Sequence, residues 1–96
     1  MLLALAAVHA TLLKPPPAHA SAGTKFTVTF ALRDAAGRPV DEKHVFVKCI
    51  CPTKDAWTFA SATDVGHGRY RAVVFAPAGG LGRIRIGHGS SFYPIR

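Results

Sequence analysis

Cys49 and Cys51 stand two positions apart in one apolar run, with His44 just upstream, and thiolates beside an imidazole are the donor types that take zinc or copper(I). On an extended strand successive side chains alternate between faces, so Cys49 and Cys51 share one face and His44 points to the other. A closed zinc site needs a second ligand pair, and none has suitable spacing. The thiols therefore read as small buried apolar groups. His67 and His88 each sit between glycines, in Gly66-His67-Gly68 and Gly87-His88-Gly89. Acid/base or metal chemistry there would need a carboxylate to orient an imidazole, and the spacing of Asp41 and Asp64 does not force either of them close. Both histidines read as solvated loop residues. The chain has no nucleophile elbow, paired-carboxylate motif or phosphate-cradling glycine loop, so it reads as noncatalytic and without cofactor or metal.

The elements that position these residues are strands. In the stretch after Gly23, Phe26, Val28, Phe30 and Leu32 alternate with Thr27, Thr29 and Ala31, the period of a half-buried strand. Asp34-Ala35-Ala36-Gly37-Arg38-Pro39 then supplies turn residues. A second strand is expected over His44–Ile50, with Val45, Val47 and Cys49 on one face and Phe46 and Ile50 on the other, ended by Pro52. A third is expected around Ala56–Ala62. There Trp57 reads as a residue buried at a sheet edge or in the core, since a lone tryptophan is usually a small domain's largest apolar contribution. Gly66 and Gly68 make Asp64 to Gly68 a tight connection feeding a strand from Arg69 to Ala76, with Tyr70, Ala72 and Val74 inward and Arg69, Arg71 and Val73 outward. Leu81 to Gly87 repeats the pattern, with Ile84 and Ile86 inward and Arg83 and Arg85 outward. Ser90 to Arg96 closes the chain as a strand carrying Phe92.

Ninety-six residues, 49% of them apolar, make one domain with one small core. Twelve Lys+Arg against 5 Asp+Glu leave a formal charge of +7, which favours acidic partners. Specific nucleic-acid binding is not expected, because the cations are scattered and no recognition helix or aromatic ribonucleoprotein motif is present. Residues 1–22 form an apolar and proline-rich N-terminal segment, read as a first strand or as a signal peptide ending near His9-Ala10. Pro15-Pro16-Pro17 reads as a stiff extended link. Residues 23–96 form the domain proper. No stretch approaches the roughly 20 apolar residues of a spanning helix. The absence of a disulfide framework favours a cytoplasmic location, with a secreted or periplasmic one as the alternative. Six or seven short strands separated by turn signals define an all-β chain, an antiparallel β-sandwich of the immunoglobulin kind.

From Gly23 to Arg96 the chain resembles the filamin-type immunoglobulin-like repeat. Asp64, Gly66, Gly68 and Tyr70 match the family's aspartate, Gly-x-Gly-like turn and strand-opening tyrosine. Pro77 and Gly82 match the middle of the pattern, and Gly89-Ser90-Ser91-Phe92 its end. Upstream, Phe26-Thr27-Val28 and the Asp34–Pro39 turn resemble the second strand and its following turn. Ser91 replaces the usual proline, and the connection from Ile86 to Phe92 is shorter than in typical repeats. A rival resemblance is to periplasmic immunoglobulin-like domains linked to copper handling, in which His9-Ala10 would begin the mature chain and the protein would be a metal carrier.

The filamin resemblance implies a protein-interaction or spacer module, with a cytoskeletal context possible. Its partners would lay a peptide beside strand C, here His44–Ile50, with alternate side chains entering a groove against the Ala56–Ala62 strand. Carried onto this sequence, the groove is formed by Val45, Phe46, Val47, Cys49, Trp57 and Phe59, while Lys43 and Lys48 steer an acidic peptide.

Overall fold

A computed structural model describes residues 7–96. The apolar run Leu2–Val8 lies mostly outside the described residues. Among those described, the strands are β1 (His9–Leu12), β2 (Lys25–Arg33), β3 (Val45–Ile50), β4 (Trp57–Ser61), β5 (Thr63–Gly66), β6 (Arg69–Phe75), β7 (Arg83–His88) and β8 (Ser91–Tyr93). Eight strands stand where six or seven were expected. They form two antiparallel four-stranded sheets, ordered β1-β2-β6-β5 and β4-β3-β7-β8.

Strand β2 is the spine of the first sheet, paired with β1 on one side and with β6 on the other, where Phe30 faces Tyr70 and Val28 faces Ala72. Its alternating residues do what their pattern requires: Val28, Phe30 and Leu32 are buried with Tyr70, Ala72 and Val74 of β6. From the second sheet, Val45, Val47 and Cys49 of β3 and Ile86 of β7 join the same core. The sheets therefore lie against one another across a single apolar layer.

The extra strand is β5. All its residues are exposed, so no apolar alternation marks it. It follows β4 after the single residue Ala62, whose N–H still donates to Val45 O while the chain moves to the other sheet. There it pairs with β6 through Thr63–Arg71 and Asp64–Tyr70, with a register shift before Gly66. His67 and Gly68 then turn the chain in left-handed conformation. A Cβ on Gly68 would fall 2.7 Å from that of Pro39 and 2.9 Å from Leu32 O, so the position needs glycine for its space as well as its φ.

Two long-range ties fix the ends. Ala10 donates to Pro94 O and accepts from Arg96 N, joining β1 to the chain after β8. Tyr70, 1% exposed, donates its hydroxyl proton to Val40 O and accepts from Glu42 N, holding the β2–β3 connection to β6.

Candidate interaction surface

Strand β3 is not an edge. It pairs with β4 along Phe46–Ser61 to Ile50–Trp57, and with β7 along Val45–His88 to Ile50–Arg83. Both of its backbone sides are occupied, so no peptide can be added to it. Val45, Val47 and Cys49, expected to line a groove, are instead 2%, 0% and 0% exposed core residues. Lys43 lies in the loop before β3, where its carbonyl meets His88 Nδ1 at 2.6 Å. That end of the sheet is remote in register from Trp57.

On one side of β3 the sheet's edge is β4. Ala62 N donates to Val45 O, and Cys51 N donates to Ala56 O. Hydrogen-bonded pairs alternate along an antiparallel ladder, so those between these two are Val47–Ala60 and Cys49–Thr58. Trp57, Phe59 and Ser61 therefore turn their own N–H and C=O groups away from β3. No backbone hydrogen bond among the described residues occupies them. Thr58, on the opposite face, ties the strand inward by donating its hydroxyl to Phe75 O.

Trp57 and Phe59 are 54% and 57% exposed, the reverse of the burial expected for the tryptophan. Their side chains lie on the outward face of the β4-β3-β7-β8 sheet, where the register lays out three rows. Ser61, Phe46, Gly87 and Phe92 form the first, Phe59, Lys48 and Arg85 the second, and Trp57, Ile50 and Arg83 the third.

Phe46 is the hinge of this face. Its ring lies 4.8 Å from that of Phe59 and 5.7 Å, edge-on, from that of Phe92. It can lie this low because Gly87 has no side chain: a Cβ there would meet the Phe46 ring at 2.6 Å. Lys48 and Arg85 face each other directly across strands, a like-charge pairing that costs stability unless the charges turn apart. They do turn apart. Lys48 Nζ sits 4.6 Å from the Trp57 ring centre, and the Arg85 guanidinium 3.7 Å from that of Phe92.

No outward position of these rows carries a carboxylate. Four of the five acids lie elsewhere: Asp34 closes its own turn against Arg38, Glu42 approaches His88 at 3.6 Å, and Asp41, Glu42 and Asp64 gather near the Tyr70 hydroxyl. The fifth, Asp55, belongs to the β3–β4 loop, two residues before Trp57. Lys48, Arg83 and Arg85 make no ion pair among the described residues.

The groups with metal-binding chemistry are not brought together. Among the described residues no group of three or more His, Cys, Asp or Glu side chains could hold a metal ion. Cys49 and Cys51 are both buried free thiols. Burial pushes the Cys49 thiol up, whereas the Thr53 backbone N–H holds the Cys51 thiol down. His44 stands in left-handed conformation just before β3. His88, expected in a solvated loop, ends β7 with Nδ1 on the Lys43 carbonyl. No helix among the described residues is long and apolar enough to cross a membrane.

Comparison of the chain with family models, with curated proteins and with solved structures finds no match.

Proposed function

We propose that this chain is a noncatalytic protein-interaction or spacer module, an immunoglobulin-like sandwich of the filamin-repeat kind, which takes a partner peptide as an added strand on the β4 edge. The strand order supports the immunoglobulin-like reading: lettered along the chain, A-B-E-D faces C′-C-F-G, the order in which such sandwiches are wound. The observation that carries the binding reading is the open backbone of Trp57, Phe59 and Ser61 beside two half-exposed aromatic rings. A peptide laid there satisfies the free N–H and C=O groups, and its alternate side chains meet Trp57 and Phe59. Lys48, poised over Trp57, favours an acidic residue at that point.

The test is Ser61→Pro. Its N–H faces away from β3, so proline removes a donor from the open edge while sparing the β3–β4 ladder. Extended peptides selected from a random library should protect the Trp57, Phe59 and Ser61 amides from hydrogen exchange and should lose binding to the folded Ser61→Pro protein. Selected peptides that bind the variant equally, or protect no β4 amide, overturn the reading.

A further inference from the structure

The β4 edge leaves part of the surface unused. Arg83 and Arg85 belong to β7, two strands in from that edge, beyond the reach of a peptide added to β4. They nevertheless share with Lys48, Trp57 and Phe59 one face whose strand positions carry no carboxylate. We propose that this outward face of the β4-β3-β7-β8 sheet binds single-stranded nucleic acid, with bases stacked on Trp57 and Phe59 and phosphates held by Lys48, Arg83 and Arg85. The proposal does not depend on strand addition.

Three features support it. Among the described residues no acid pairs with these cations, and Lys48 and Arg85 are direct cross-strand neighbours whose charged ends rest on the Trp57 and Phe92 rings, so a phosphate between them would draw both. The two most exposed rings stand two residues apart on one strand, about 6.8 Å along it, so each offers its own stacking face. Phe46, seated over Gly87 between Phe59 and Phe92, fixes the platform from below. An open sheet bearing aromatic rings with cations between them is the arrangement by which sheet surfaces stack unpaired bases. A duplex hides its base faces, and the described residues include no helix to enter its groove.

Trp57 is the only tryptophan in the chain, so its fluorescence reports on this face alone. Titration with an oligothymidylate of about 12 nucleotides at low salt should quench it. Each phosphate neutralised on a single strand contributes about 0.7 to the dependence of log affinity on log salt, so Lys48, Arg83 and Arg85 together set a slope of about −2. Arg85→Ala should reduce the slope to about −1.4. Phe59→Ala should weaken binding about 5- to 150-fold through the loss of one stacked base. Arg71→Ala, on the outward face of the other sheet, should leave affinity and slope unchanged. The proposal fails if the oligomer does not quench Trp57. It also fails if Arg71→Ala weakens binding as much as Arg85→Ala, which would mark diffuse charge. Equal affinity for polyglutamate of matched charge would show that the face reads anions and not bases, and would overturn it as well.

Discussion

Replacing Tyr70 by phenylalanine removes one oxygen from the core boundary and leaves the ring in place. The ring stacks on Phe30 at 5.4 Å, so no cavity opens. What is lost is a two-way bridge, from Tyr70 Oη to Val40 O and from Glu42 N to Tyr70 Oη, both 2.8 Å. Each such bond contributes about 0.5 to 1.5 kcal/mol net, so Tyr70→Phe should cost about 1 to 3 kcal/mol. Tyr70→Ala, which also empties the site, should cost about 3 to 5 kcal/mol. Urea unfolding would read the first as a lower midpoint at unchanged slope, and a domain of this size should melt about 4 to 8 °C lower per kcal/mol lost.

The same oxygen gives a pH signature. Burial pushes the Tyr70 phenol above its ordinary value of 10.0, the Glu42 N–H opposes this, and the charges of Asp64, Asp41 and Glu42 push it further up. A phenol that ionises less readily in the folded state stabilises that state fully below the unfolded value. The contribution is lost as pH rises from about 10 through the folded value. Tyr70→Phe should therefore flatten the alkaline fall in stability, leaving the share of Tyr93, whose phenol burial also raises. A phenylalanine variant with the parent's midpoint and the parent's alkaline limb would refute the bridge as the anchor of the β2–β3 connection.

Gly87→Ala should cost about 1 to 3 kcal/mol by overpacking, because its Cβ would strike the Phe46 ring at 2.6 Å and Ser91 O at 2.5 Å; a changed near-ultraviolet dichroism would show the displaced ring. Thr58→Pro removes an N–H that faces β3 and should lower the melting temperature where Ser61→Pro does not, a contrast that thermal melts of the two variants decide. The Arg38 backbone N–H holds the Asp34 carboxyl below its ordinary value, so its contribution is present above about pH 4 and lost as pH falls through the folded value. Asp34→Ala should shrink that acid limb in urea midpoints measured across pH. In the native protein a thiol reagent should modify Cys51 before Cys49, since the Cys51 thiol is held down and the Cys49 thiol is pushed up by burial; mass spectrometry of partly labelled protein gives the order.

Alternation alone determined which faces of β2, β6 and β7 are buried, because a strand's period of two assigns every side chain once one face is apolar. Tyr70, Ala72 and Val74 went inward and Arg69 and Arg71 outward as their order requires. Strand β5 carries no such signal: its exposed residues are held by backbone pairing to β6, which composition does not encode. Nor does a sequence say which strand is an edge. His44–Ile50 looked open until β4 covered one of its sides and β7 the other, sending Val45, Val47 and Cys49 to the core and Trp57 and Phe59 to the rim. The cations were scattered for the same reason. Lys48 and Arg85 lie far apart along the chain and become direct neighbours only through the β3–β7 register, which is set by core packing on the other face of the same strands.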